Sequence, residues 1–332
     1  MSNMLRPLAI QDLKKSAEDC YAVGTLKCFC YMGVFDGCGG LGCQQISFQS
    51  ETFQNHTGAW IASRIGAAAV ESFFRENGNQ SFSREKVLEL ELALNKTFQT
   101  LKKKYWKDDG VSGSMRRNFP TTASIIVENF QEHNGFFLWS GDSRGYVCDK
   151  DGLAQMTKDD VRFHATDAFA NLYQDSAMTK QWNADRTISV HCKEIKNISP
   201  AIYICATDGC FGFLSSPMEF EHMLLSTLME SNTPEEWKEN LIQKWFVHFG
   251  DDSTMTILTV GFENFSDLKM FYQERLSIIE KTYGESFSDE MNVQEREQLW
   301  QRYRKNYYRF RSEDVREGAV TANGRTNANR SI

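Results

Sequence analysis

Short apolar runs bounded by Gly, Asn and Asp dominate the chain as far as about residue 262. Runs of this length between turn residues predict β-strands. They fall at Ala17–Val23, Thr25–Phe35, Thr121–Val127, Gly135–Trp139, Gly145–Cys148, Leu153–Met156, Arg186–Cys192, Ile202–Ala206 and Thr254–Val260. Asn134-Gly135 and Asp151-Gly152 lie between such runs and predict hairpin turns. The helical period appears at Thr57–Arg75, with the small residues Ala62, Gly66, Ala67 and Ala68 on a face suited to close packing. It returns at Ser83–Lys107, where Leu88, Leu92 and Leu101 mark an apolar face, and at Pro217–Ser231 and Pro234–His248. Residues 1–15 read as a lead-in, Leu41–Asn55 as polar and Gln-rich without a period, and 157–185 as a mostly polar surface loop with a short helix.

The pattern changes at Ser266. Ser266–Tyr283 and Val293–Arg311 read as long helices rich in charge and aromatics, and the residues after Ser312 carry the composition of a disordered tail. The expected organisation is one domain over 1–264 with an insertion at 41–55, a C-terminal helical extension over 265–312, and a tail over 313–332. There are no internal repeats.

At 332 residues and 41% hydrophobic, the chain can bury a full core. A net charge of -7 argues against a nucleic-acid partner, which favours a basic field. No run of about 18 apolar residues offers a membrane span, and no signal peptide is evident at the start. Nine cysteines, odd in number and irregular in spacing, several within apolar strands, suit reduced thiols in a cytoplasmic protein. Cys28-x-Cys30 and Cys38-x4-Cys43 lack zinc-site spacing and read as core cysteines.

The chemistry sits where strands stop. The runs ending at Phe35 and Ala206 lead into Asp36-Gly37 and Thr207-Asp208-Gly209, and Gly250-Asp251-Asp252 leads into the last strand. Glu18, Asp19, Asp142 and Asp159 or Asp160 complete the candidate acids. Carboxylates gathered at one end of a sheet repel each other unless cations hold them, and oxygen-only ligation favours Mg²⁺ or Mn²⁺. Gly37-x-Gly39-x-x-Gly42 matches a dinucleotide fingerprint in letters only, because no helix start follows it.

Glu18-Asp19, Val34-Phe35-Asp36-Gly37-Cys38-Gly39-Gly40, Thr121-Thr122-Ala123, Gly141-Asp142-Ser143-Arg144, Thr207-Asp208-Gly209 and Asp251-Asp252-Ser253-Thr254 resemble, in order and spacing, the motifs of the metal-dependent PPM (PP2C-type) protein phosphatases. The resemblance covers about residues 10–262. It implies an α+β fold, a four-layer α-β-β-α sandwich of two antiparallel sheets flanked by helices, here with the C-terminal helical extension. It implies two Mn²⁺ or Mg²⁺ ions, with Asp36 bridging, the Gly37 carbonyl and Glu18 on one ion, and Asp208 and Asp251 on the other. Asp19 would hold metal-bound water, Thr122 would stand close by, and Asp142 would touch a third, weaker ion. The implied reaction is hydrolysis of phosphoserine or phosphothreonine in proteins by a hydroxide bridging the ions, without a phosphoenzyme. A phosphoprotein substrate and a partner Ser/Thr kinase follow from it.

Three departures qualify the match. Lys14 stands where the family has a phosphate-gripping arginine, and a lysine cannot form the bidentate fork; Arg116 or Arg117 is a conceivable substitute. Cys38 stands where many eukaryotic members have histidine. His56, Ala62 and Ser63 keep the spacing of a bacterial His-to-Ala-Ser motif, but Leu41–Asn55 intervenes as an insertion at the cleft rim, placed to meet a substrate or regulator or to serve as a passive loop. His56 is accordingly carried as a catalytic candidate with Asp36, Asp19 and Lys14, and a bacterial member is favoured. The cations among the C-terminal aromatics offer either a docking face or a packed extension with its charges in water. The second functional reading, motivated by Lys14 and Cys38, is a weak or inactive pseudophosphatase that binds or regulates phosphoproteins.

Overall fold

The computed structural model describes residues 7–14, 16–46, 56–105, 117–163, 166–174, 176–196, 198–288, 290–311 and the backbone of 315–316. Two antiparallel sheets face each other. The first has the order β1 (Leu8–Asp12), β12 (Ser253–Val260), β11 (Ala201–Ala206), β8 (Arg144–Asp149) and β9 (Gly152–Gln155). The second has the order β13 (Val315–Arg316), β10 (His191–Lys196), β7 (Asn134–Ser140), β6 (Ala123–Asn129), β3 (Phe29–Phe35) and β2 (Cys20–Thr25). A two-residue pair, β4 (Gln45–Ile46) with β5 (His56–Thr57), stands apart.

Helices close both outer faces. α1 (Gly58–Asn77) and α2 (Arg84–Tyr105) share an apolar cluster with the second sheet. α4 (Pro217–Glu230), α5 (Pro234–Lys244), α6 (Phe265–Tyr283) and α7 (Val293–Tyr307) share another with the first, and α3 (Ala170–Tyr173) lies in a connection. The four-layer α-β-β-α sandwich is therefore as expected.

The strand sequences explain the layering. Every residue of β3 is buried, because both its faces are covered. Cys30, Met32 and Val34 point between the sheets, whereas Phe29, Tyr31 and Phe35 point at the helices. β11 divides likewise, with Tyr203 and Cys205 between the sheets and Ile202 and Ile204 under the outer helices.

Five element assignments need correction. Residues 8–12 of the lead-in form edge strand β1, whose short run has one fully buried residue, Ile10, and so too little periodicity to register. The Thr25–Phe35 strand is β3 preceded by a turn closed by Leu26 N donating to Phe29 O at 2.9 Å. The strand expected at Arg186–Cys192 begins at His191. Before it, Ile188 N and Val190 N donate at 2.8 Å to Asn95 and Glu91 side chains of α2, so these donors go to a helix instead of a ladder. α5 stops at Lys244 and α7 at Tyr307, each followed by tighter turns. Leu268, Tyr272 and Ile279 of α6 and Trp300, Tyr303 and Tyr307 of α7 are buried in the same cluster as β11. Within the 313–332 stretch, Val315 and Arg316 pair with Lys193 and Cys192; the rest lies outside the described residues, as do residues 47–55 of the insertion and Arg116. No helix among the described residues is long and apolar enough to cross a membrane.

One buried acid gives the fold a pH dependence. Glu128 on β6 is 3% exposed, its Oε2 has no hydrogen-bond partner among the described residues, and burial raises its pKa from 4.5 to about 8. The folded chain holds this proton more tightly than the unfolded chain, so the contribution is complete below pH 4.5 and is lost as pH rises toward 8. Urea titrations of the wild type should lose about 3 kcal/mol between roughly pH 5 and 7.5 through this group, at about 1.36 kcal/mol per pKa unit. Glu128→Gln should lack that component, and equal pH slopes in the two proteins would refute the assignment.

Candidate functional site

The acids converge because the register brings several strand ends to one edge of the sandwich. Cys20 pairs with Phe35, so Glu18-Asp19 before β2 lies beside Asp36 after β3. Ala206 pairs with both Met255 and Arg144, which places Asp208, Asp251-Asp252 and Asp142 at the same edge. Asp12 pairs with Ser253 and routes the β1–β2 connection past them.

Each acid is fixed by neighbours. The Asp36 carbonyl accepts from Thr122 N and Thr121 Oγ1, both at 2.8 Å. Glu18 Oε1 accepts from Thr57 Oγ1 at 2.5 Å, its carbonyl accepts from Ser63 Oγ at 2.5 Å, and its amide donates to Asp252 Oδ2 at 2.6 Å. Asp19, 2% exposed, accepts from Thr207 Oγ1 at 2.8 Å. Thr122 Oγ1 lies 2.6 Å from Ser143 Oγ, beside Asp142. Gly37 and Gly39 are required by closeness. A Cβ on Gly37 would stand 2.5 Å from the Ala59 carbonyl oxygen, and one on Gly39 would collide with Glu18 Oε2.

The charges repel. Burial first, then Asp208, Asp19 and Asp142, pushes the Asp36 carboxyl well up. Burial, followed by Asp208 and Asp159, raises Asp142 to about 8. Burial and then Asp251 raise Asp208. Glu18 is raised by burial, against the pull of its Thr57 hydrogen bond, and then by Asp252 and Asp251.

Among the described residues, no three His, Cys, Asp or Glu side chains are already arranged around one ion position. The donor chemistry nevertheless fits hard divalent cations. It is all oxygen, Asp142 Oδ1 is buried without a hydrogen-bond partner among the described residues, and the mutual repulsion of Asp36, Asp208 and Asp142 is the kind that a cation relieves.

Other sequence candidates lie differently. Lys14 Nζ contacts Asp12 Oδ2 at 2.5 Å and the Phe246 carbonyl oxygen at 3.4 Å, while its amide donates to Asp252 Oδ1 at 2.5 Å. His56 stacks on Trp60 with ring centroids 3.6 Å apart, next to the Thr57 that binds Glu18. Arg117 N donates to Leu41 O at 3.1 Å. Asp159 grips Arg144 at 2.7 Å while lining the same cleft as Asp142 and Asp208, and Asp160 accepts from Gly141 N at 3.0 Å. Burial and the acids Asp36, Asp142 and Asp208 push the Cys38 thiol well up, which disfavours a reactive thiolate there.

One residue, Arg64, escaped the sequence reading, and another, Asp252, was read only as a candidate acid. Asp252, 4% exposed, ties Lys14 and Glu18 to the start of β12; the Asp251-Asp252 pair showed two acids but not which one turned inward. Arg64 lies with its guanidinium 3.9 Å over the Trp60 ring and donates from Nη2 to the Ala17 carbonyl oxygen at 2.9 Å. Ala17 has a φ of 48°, so Arg64 steadies a left-handed residue immediately before Glu18. A lone arginine in a helical pattern carried no signal for this.

Beside the cluster opens a cleft of about 340 Å³, whose lining includes Asp142, Asp208 and Asp251 together with Asn171, Leu172 and Phe213. Solved structures share this architecture. The serine/threonine phosphatase PstP/Ppp of Mycobacterium tuberculosis aligns with a TM-score of 0.53 at 17% identity over 77% of this chain and 99% of its own. Stp1 of Staphylococcus aureus aligns with a TM-score of 0.57 at 15% identity over 79% of this chain and 97% of its own. The catalytic domain of PstP in complex with two manganese ions aligns with a TM-score of 0.51 at 17% identity, covering 77% and 98%. The fold is that of the PP2C-type phosphatases. No protein-family model and no curated protein matches the sequence. The PP2C likeness thus lives in the architecture, while about five residues in six differ at 15–17% identity.

Proposed function

We propose that the chain is a divergent PPM-family enzyme, a Mn²⁺- or Mg²⁺-dependent protein-serine/threonine phosphatase. The observation that carries this is the convergence of Glu18, Asp36, Asp142, Asp208 and Asp251 at one edge of a PP2C-type sandwich, next to a cleft. Asp36 with the Gly37 carbonyl, Glu18, Asp208 and Asp251 would hold two cations, and Asp142 a third. Bound there, such ions supply Lewis acidity and an acidic water at neutral pH. Asp19, held by Thr207, would orient the attacking water. The Lys14 ammonium, paired with Asp12, would leave phosphate binding chiefly to the cations.

A phosphoprotein substrate, an opposing Ser/Thr kinase and a cytoplasmic signalling role belong to the same reading, which the nine free cysteines support for the compartment. The second reading, a phosphoprotein-binding pseudophosphatase, draws on the Lys14–Asp12 pair and on Cys38 in the turn after Asp36.

One assay separates them: phosphate release from phosphoserine and phosphothreonine peptides with Mn²⁺, with Mg²⁺ and with chelator. Metal-dependent release is the expected result. Peptide binding without release would favour the second reading, and neither would reject both.

A further inference from the structure

The C-terminal helix holds the segment that leads into one wall of the cleft. Four polar contacts and one stacked ring run from α7 and the turn after it to residues 166–169. Trp300 Nε1 donates to Asp167 Oδ1 at 3.0 Å, and Arg304 Nη1 lies 3.5 Å from Asp167 Oδ2. Tyr308 Oη accepts from Ala168 N at 2.7 Å, and Arg311 Nη1 donates to the Thr166 carbonyl oxygen at 2.7 Å. The Phe169 and Trp300 rings stack at 6.3 Å. Asp167 also accepts from Phe169 N and Ala170 N at 3.2 and 3.3 Å, which starts α3.

α3 then forms part of the cleft wall. Asn171 and Leu172 line the cleft, and Asn171 Nδ2 donates to Asp159 Oδ2 at 3.0 Å. Asp159 holds Arg144, whose guanidinium lies 4.0 Å over Phe211, another lining residue. A continuous set of contacts therefore joins the C-terminal helix to the α3 part of the cleft that Asp142, Asp208 and Asp251 also line.

We propose that α7, acting through Asp167, positions the α3 wall of the cleft and so sets how tightly the protein part of a phosphoprotein substrate is bound. Trp300, Tyr308 and Asp167 are positioning residues, and none of them touches the reacting phosphate. This use of α7 accounts for its composition. The indole N–H and Arg304 of α7, with the Tyr308 hydroxyl and Arg311 of the turn after it, point at one short segment, which a helix serving only as cover would not need. The substrate-binding consequence rests on the phosphatase reading; the positioning of the wall does not.

The test compares Trp300→Phe/Tyr308→Phe, which keeps the rings and removes both polar contacts, with the wild type. Asp167→Ala and Asp167→Asn form a second pair, because asparagine retains the oxygen that accepts from Trp300. With Mn²⁺, KM for a phosphothreonine peptide should rise about 3- to 10-fold in the double variant and in Asp167→Ala, with kcat within about 2-fold. Kinetics on p-nitrophenyl phosphate, which needs only the acid cluster, should stay within about 2-fold, and Asp167→Asn should recover most of the peptide KM. Hydrogen exchange over residues 166–174 should quicken in the double variant. Equal losses on both substrates, or unchanged peptide KM in a double variant that folds, would overturn the proposal. Should the wild type turn over neither substrate, the phosphatase reading fails alone. Exchange then decides the positioning role: faster exchange confined to 166–174 supports it, and unchanged exchange overturns it.

Discussion

Replacing Asp36 with asparagine should lower Mn²⁺-dependent phosphate release by about 100-fold or more, close to 3 kcal/mol of transition-state stabilisation, while making the metal-free protein harder to unfold. Both effects have one cause. Asp36 lies among Asp208, Asp19 and Asp142, and its carboxyl is pushed well up by burial and by those charges. Without cations this is a penalty, so removing one ionisable group relieves it. With cations the same charges are the ligands, so removing one weakens the site. Thermal unfolding in chelator and in excess Mn²⁺ reads out both halves. The wild type should gain a clear rise in Tm from metal, and Asp36→Asn should start higher and gain little. Asp208→Asn should behave alike. A variant with wild-type turnover, or one destabilised equally with and without metal, would show that Asp36 is a structural acid and not a ligand.

The same cluster shows what the sequence could disclose. Acids at the ends of apolar runs were legible because a strand end followed by Asp-Gly is a local pattern, present at Asp36-Gly37 and Asp208-Gly209, and the sandwich followed from the resemblance of six ordered motifs to the PPM phosphatases. The partners of those acids were not legible, because they come from distant parts of the chain. Asp252 binds Lys14 and Glu18 across more than two hundred residues, and Arg64 reaches Ala17 from a helix. Residues 186–190 were misread for a related reason. Their apolar pattern is real, with Ile188 and Val190 buried, but their amides found Asn95 and Glu91 of α2. Edge strand β1 has a single fully buried residue, too few for a period to emerge. Lys14 is the subtler case: the sequence places it four residues before Glu18, but only the structure shows that Asp12, two residues away, holds its ammonium.

Replacing Glu221 with alanine should cost about 3–5 kcal/mol of stability, the range for breaking a buried ion pair from one side. Glu221 on α4 is 0% exposed. Its Oε1 accepts from Arg275 Nε of α6 at 2.5 Å, and its Oε2 accepts from Arg275 Nη2 at 3.0 Å and from Tyr303 Oη of α7. The guanidinium also fills the space over Gly152, where a Cβ would collide with it. One carboxylate thus ties both C-terminal helices to α4 and to the β8–β9 turn. Alanine would leave a cation, 12% exposed at its side chain, and a buried hydroxyl without their partner. Replacing all three groups by Met, Met and Phe should recover most of the loss, since no charge or hydroxyl is then stranded. Urea denaturation followed by tryptophan fluorescence and by circular dichroism measures this directly. The two probes should coincide in the wild type, because Trp300 of α7 and Trp237 and Trp245 on the helical face of the first sheet share one cluster with β11. Separate transitions would show the 265–312 helices to be an independent unit; a single one makes them part of the body that carries the cleft.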